Sequence, residues 1–255
     1  MLPLYEAKMI HHFDHRWATY EPDGATRLVT AEEKADLNFV VMPRYWVAEQ
    51  EVTAKLPSGT PNEDFLAGYR WIARSTDERT MIAATFPRSG AGNSLPVILS
   101  SGDPKVLTVL MSAFALDFAA RQKLGGANMT FGTVSQLPIP SPSELNKVPE
   151  WSNRSLGHWA NDQSRRITRQ ARSRRLLRAE LDAAFLHLYG IERDDVDYIM
   201  DTFPIVKRKD EAQHGEYRTK RLILEAYDAM AEAEATGIPY RSSTGIDDAQ
   251  LEATT

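Results

Sequence analysis

The chain has 255 residues, 42% of them apolar and 25% charged, with a formal net charge of −5 and no cysteine. That is enough for one large domain or two smaller ones, and the missing thiols exclude disulfides, Cys-ligated zinc, iron–sulfur clusters and thiol catalysis, which suits a reducing cytoplasm. No apolar run approaches a membrane span, the N-terminus lacks a signal-peptide pattern, and the acidic balance argues against a uniformly basic nucleic-acid binder, though not against a local basic surface.

In chain order, residues 13–20 can alternate as a strand, and Pro22-Asp23-Gly24 supplies a turn before residues 27–30. A β-like run over 38–47 is interrupted by Pro43, which suggests an edge or a bulge. Residues 56–64 are polar with two prolines and read as a loop. Residues 65–73 could be a short helix. Residues 80–87 are a strand candidate, 88–93 a loop, and 95–99 a short buried strand.

Residues 103–140 read as one long helix, a double-glycine turn, a short strand and a proline-locked exit. Asp103 suits the N-cap and Pro104 the first helical position. Leu107, Leu110, Met111, Phe114 and Phe118 recur at helical spacing and face a core. Gly125 can take the left-handed conformation that ends such a helix. A strand through Phe131 and Val134 would have to stop at Pro138 and Pro140.

Residues 143–153 look like a connector. A helical pattern runs from 159 to 189 and ends at Gly190. A short helix is expected at 194–200, and an irregular crossing with Pro204 at 202–209. A final amphipathic helix spans 215–236, with Tyr217, Leu224, Tyr227 and Met230 on one side, and Gly237 then Pro239 stop it. The expected fold class is α+β: a mixed α/β domain over 1–142, a helical domain over 143–240 and a flexible tail over 241–255.

Several groups of residues could carry chemistry. Between 154 and 178 there are eight arginines against one acid, Asp162. Arg165, Arg169 and Arg172 share a helical face, with Arg166 beside it, and the apolar positions that would bury the helix come only later, from Leu177. Guanidinium groups on such a projecting segment can meet phosphates, or acids elsewhere in the protein. His11, His12 and His15 surround Asp14; on a helix His11 and His15 would have a spacing able to hold a metal. No metalloprotease pattern or third ligand accompanies them, so they are read as structural and no metal site is assigned. Glu49, Glu51, Lys55 and Asp36 fit a nuclease-like pattern only loosely. Arg70, Arg74 and Arg79 flank the strand opening at Thr80 and could pair structurally or reach a phosphate. The turns at 89–93 and 100–102 lack the lysine and glycine spacing of a phosphate loop.

With these residues laid out, the chain resembles the C-terminal target-recognition region of restriction–modification adenine-specific DNA methyltransferases, of the large phage-defence type with a Taq-type specificity domain. The resemblance is carried by LMSAFALDFAARQKLGGANMTFGTVSQLPIP (110–140), with its Gly-Gly turn and closing Pro-Ile-Pro, and by YEAKMIHHFDHRWATY (5–20), PRYWV (43–47), YRWIARSTDERTMIAATFPRSGAGN (69–93), RAELDAAFLHLYGI (178–191), YIMDTFPIVKRKDE (198–211) and GEYRTKRLILEAYD (215–228). The individual motifs are loose; their order is fairly specific. One departure matters. The glycine loop for S-adenosylmethionine and the Asn/Asp-Pro-Pro-Tyr/Phe motif that grips the adenine are both missing, and no Pro-Pro pair exists.

The resemblance therefore implies a specificity part without its catalytic domain, a fragment or one half of a split enzyme, that contacts double-stranded DNA and positions a base for chemistry elsewhere. S-adenosylmethionine would sit on the missing catalytic domain or subunit, and no cofactor on this chain. Its candidate DNA contacts are the turns at 88–94 and 125–129, with Arg70, Arg74, Arg79, Arg88, Arg121, Lys123, Gly125, Gly126 and Asn128. A backbone clamp would use Arg165, Arg166, Arg169, Arg172 and Arg175. The competing expectation is a protein-interaction module docking on a methyltransferase or helicase subunit; a metal-dependent nuclease resting on the histidines is the third.

Overall fold

A computed structural model describes residues 1–36, 38–57, 64–100, 103–169 and 173–242, without the side chains of residues 168 and 169. The fold is α+β, and the chain divides into two compact units, Met1–Ser112 with Leu116–Pro138, and Ala113–Ala115 with Ile139–Thr255.

The first unit opens with β1 (Leu2–Tyr5), a 3-10 turn at Ala7–Met9, and the hairpin of β2 (Ala18–Tyr20) and β3 (Thr26–Leu28). The expected turn closes that hairpin: Gly24 takes φ +84° and the Asp23 carboxylate accepts the Ala25 N–H at 2.8 Å. The strand expected over 13–20 is confined to its last three residues. Ahead of it, His11 and Asp14 exchange backbone hydrogen bonds at 2.8 and 2.9 Å around Phe13, which sits at φ 58°. Helix α1 (Ala31–Ala35) follows a capping box of Thr30 and Glu33, a Thr-x-x-Glu signal readable in the sequence.

The β-like run over 38–47 is strand only at its end, β4 (Trp46–Val47), and α2 (Glu49–Lys55) follows. Residues 65–69 correct the expected helix: they form β5 (Phe65–Tyr69), paired in full antiparallel register with β6 (Ala83–Pro87). β7 (Gly90–Ala91) and β8 (Val97–Ile98) complete two three-stranded sheets, ordered β4-β1-β7 and β6-β5-β8. β5 is a central strand, buried on both faces from Leu66 onward, which hides the alternation that would have marked it. Gly68 shows why the helix loses. A Cβ there would stand 2.8 Å from the Pro96 carbonyl oxygen, so only glycine lets β8 run this close.

The long helix over 103 onward is two helices, α3 (Pro104–Ser112) and α4 (Phe114–Lys123), interrupted at Ala113. Its start is as expected, with the Asp103 carboxylate accepting the Lys105 N–H at 2.8 Å. The Phe114 N–H leaves the helical ladder for the Asp182 carboxylate at 2.7 Å, in a buried bond. Gly125 does not take the left-handed conformation; positive φ among the described glycines belongs to Gly24, Gly190, Gly215 and Gly237. The expected strand through Phe131 is instead α5 (Phe131–Val134), started by Thr130, whose hydroxyl accepts the Thr133 N–H at 3.2 Å. Apolar clusters fill this unit, one around Tyr5, Ile10, Leu66 and Phe86, another around Tyr69, Met81, Met111, Leu116 and Met129.

The second unit is helical: α6 (Pro142–Leu145), α7 (Leu156–Arg169), α8 (Arg174–Leu188), α9 (Arg193–Asp201), α10 (Pro204–His214) and α11 (Arg218–Thr236). The single helix expected over 159–189 is thus two, and α7 packs on α8 with Gln163 Nε2 donating to the Glu180 carboxylate at 3.0 Å. The irregular crossing at 202–209 is corrected to α10, which Pro204 opens and Gly215 ends at φ 74°. Proline lacks only an N–H that a first turn does not use. Trp151, Phe185, Met200, Phe203, Ile223 and Met230 are buried in this unit. The Tyr240 N–H reaches the Trp151 carbonyl at 2.7 Å and the Ser242 hydroxyl reaches Glu180 at 2.8 Å; of the expected flexible tail, residues 243–255 lie outside the described residues. Among the described residues no helix is long and apolar enough to cross a membrane.

Burial holds the His15 imidazole below its ordinary value of 6.5, against the Asp14 carboxylate and with help from Arg16. The folded protein therefore keeps His15 neutral while the unfolded chain takes up a proton, so stability falls as pH drops below about 6.5. The urea midpoint should decline between about pH 7 and pH 5, and His15→Gln should flatten that decline. An identical decline in the variant would assign the pH dependence to other groups.

Candidate nucleic-acid interface

Several expected contact residues have structural work inside the first unit. Arg70 donates from Nε to the carbonyl oxygens of Ala7 and Ile10 at 3.1 Å each, tying β5 to the 3-10 turn, and burial lowers its pKa. Arg79 and Arg121 converge on Asp117, whose carboxylate is wholly buried: Arg79 Nε stands at 2.6 Å and Arg121 Nε at 3.2 Å. The Thr80 N–H donates to the same carboxylate at 3.1 Å. Arg79 also bonds the Ser112 carbonyl, and Arg121 the carbonyls of Asp77 and Glu78 at 2.7 and 2.8 Å. For Arg70 and Arg79 the structural pairing expected as one alternative is the geometry found, and Arg121, expected only as a DNA contact, is held within the unit as well. Arg88, beside β7, reaches Glu49 at 3.4 Å and the Thr53 hydroxyl on α2.

Of the remaining candidates of this unit, Asn128 lies on an exposed ribbon, and Arg74, Lys123, Gly125 and Gly126 lie within a few residues of it along the chain. Residues 71–73 and 127–129 run antiparallel, with Ile72 opposite Asn128, the Ala73 N–H on the Ala127 carbonyl at 3.1 Å and the Met129 N–H on the Trp71 carbonyl at 2.7 Å. Ala73 and Met129 are buried and anchor the ribbon. Gly125, Gly126 and Asn128 are exposed, and a Cβ on either glycine would meet nothing within 4 Å. Lys123, at the end of α4, and Arg74, two residues beyond Ile72, are exposed as well. Among the described residues no partner engages the Lys123 ammonium, the Asn128 amide or the Arg74 guanidinium; Arg74 uses only its backbone, the N–H reaching Asp77 at 3.2 Å and the carbonyl accepting Thr80 Oγ1 at 3.0 Å.

Sequence reasoning missed two members of this surface. Ile72 and Phe131 are 64% and 66% exposed, and the Phe131 ring meets Trp71 edge-on at 5.2 Å. A buried helix over 65–73 gives Ile72 no reason to project. No local signal marks it, because Trp71, Ile72 and Ala73 form a continuous apolar run and only the pairing with residues 127–129 turns Ile72 outward.

In the second unit the arginine-rich segment is also divided. Arg166 is buried and Arg174 donates from Nε to the Ile167 carbonyl at 3.1 Å. Arg154 pairs with Asp162 at 2.6 Å. Arg165 is exposed, and Arg175 is exposed while touching His214 and Gln213 at 2.5 and 3.3 Å. Arg172 and the side chain of Arg169 lie outside the described residues. The histidines form a local packing group, His11 lying 4.4 Å from the Trp17 ring and 5.1 Å from that of His12, and no three His, Asp or Glu residues among those described gather as a metal-binding set.

No family model matches this chain, and neither a curated protein nor a solved structure matches it.

Proposed function

We propose that the chain is the DNA-contacting specificity part of an adenine-specific DNA methyltransferase of the restriction–modification and phage-defence kind, acting in the cytoplasm. The observation that carries this reading is the exposed ribbon, where Arg74, Lys123 and Asn128 are uncommitted beside a bare glycine turn. Unpaired donors on a projecting backbone suit contact with phosphate and base edges. Supporting it are the order of the motifs along the chain and the exposed arginines of α7 and α8. The catalytic step and S-adenosylmethionine belong, on this reading, to a separate domain or subunit.

One observation favours the second reading, a protein-interaction module. Val40, Met42, Tyr45 and Trp46 are large, apolar and exposed within seven residues, with Val40 at 70%. Such a concentration marks a contact surface for another protein. The two readings are compatible if this surface holds the catalytic subunit while the ribbon meets DNA.

The test is binding of the full chain to a randomised pool of 30-bp duplexes across a salt series. Affinity should fall steeply with salt. The triple variant Arg165→Ala/Arg169→Ala/Arg172→Ala should weaken all duplexes alike and flatten the logarithmic slope by roughly one unit for each phosphate it no longer neutralises. Unchanged affinity and slope would remove the clamp. A wild-type chain that retains no duplex at low salt would leave the protein-interaction reading.

A further inference from the structure

Resting on the DNA reading, we propose that the ribbon of residues 71–74 and 126–128 enters the minor groove of duplex DNA and that Ile72 wedges into a base step there, kinking the duplex. Ile72 and Asn128 stand directly opposite each other, so their side chains share one face of the antiparallel pair. Arg74 lies two residues along the same strand, and Gly126 two residues along the other. The paired face therefore carries an exposed branched apolar side chain and a free amide, with the free guanidinium of Arg74 and the bare Gly126 close by along the two segments.

Each component has a use in that groove. Minor-groove binders read its edges with Arg, Lys, Asn and Gln and insert apolar residues such as Ile between base pairs. Asn128 supplies the amide, Arg74 and Lys123 the cations for the flanking phosphates, and Gly126 lets the backbone come close. The carboxylate at this edge, Asp77, accepts the Arg74 N–H, leaving the guanidinium for the ligand. Behind Ile72 the ribbon is backed by buried Ala73 and Met129, a firm base for a wedge. A protein partner would cover Ile72 and Phe131 equally well, yet Arg74, Lys123 and Asn128 are uncommitted donors, which suit an anionic polymer.

A flexible step, pyrimidine–purine such as TA or CA/TG, should lie at the centre of the site, because unstacking costs least there. The experiment uses a duplex recovered from the randomised pool, labelled at both ends for energy transfer. Wild-type chain should bring the ends together; Ile72→Ala should bind within about threefold yet leave the duplex straight. Ile72→Leu should restore the bend, and Asn128→Ala should relax sequence preference beside the step. Ile72 is exposed, so these variants should fold. Binding without bending, or equal bending by Ile72→Ala, would overturn the wedge and leave the DNA reading standing. Failure to recover any duplex would overturn both.

Discussion

Asp117→Ala should be the most damaging replacement of a charged residue in the first unit, costing about 3–5 kcal/mol of stability. Its carboxylate is wholly buried and holds two guanidinium groups and the Thr80 N–H. Removing it leaves positive charge near the core with no carboxylate to balance it. It also strands a buried backbone donor, worth about 1–3 kcal/mol by itself. Asp117→Asn separates the contributions, because the amide oxygen can still accept the Thr80 N–H while the charge is gone. The measurement is the urea midpoint of each variant; a loss of under about 1 kcal/mol for alanine would show that solvent relieves the cluster. Arg79→Ala and Arg121→Ala should likewise destabilise the fold. Neither should alter the salt slope of DNA binding, since both guanidinium groups face inward.

The same cluster is only partly legible in the sequence. Arg79, Thr80, Asp117 and Arg121 were all visible, and Asp117 and Arg121 stand at helical i, i+4 spacing. That Arg79 comes from beside a strand to meet them is a tertiary fact with no local signature. A similar limit applies to charge: eight arginines in one segment suggest a basic face, but Arg166 is buried and the Arg174 Nε is spent on the Ile167 carbonyl. Local signals did better. Asp103-Pro104, Pro22-Asp23-Gly24 and Gly237 mark the boundaries found, because caps and turns are set by neighbouring residues. Residues 65–73 failed because a fully buried strand and a short buried helix share the same apolar run. The α+β class, set by long periodic stretches in the second half and shorter β runs in the first, was legible. The ribbon was half legible: its glycines and Asn128 stood out by composition, while Ile72 needed the strand pairing to project.

The break between α3 and α4 leads to the second large effect. Nothing near Ala113 in the sequence forbids a continuous helix, and no glycine or proline stands there. Within the second unit, Phe114 is held twice: its N–H by Asp182 at 2.7 Å, and its ring by Phe203, edge-on with centroids 4.7 Å apart. Phe203 is 1% exposed at the start of α10. Phe203→Ala should therefore cost about 3–5 kcal/mol, the range for emptying a buried aromatic site. Phe203→Leu should cost less, because it refills most of the volume and loses chiefly the edge-to-face term of about 0.5–1.5 kcal/mol. A double-mutant cycle with Phe114→Leu should give a coupling of at least about 0.5 kcal/mol, as expected for side chains that touch. Additive effects would mean that the rings merely fill space, leaving the Asp182 carboxylate as what draws Phe114 out of a continuous helix.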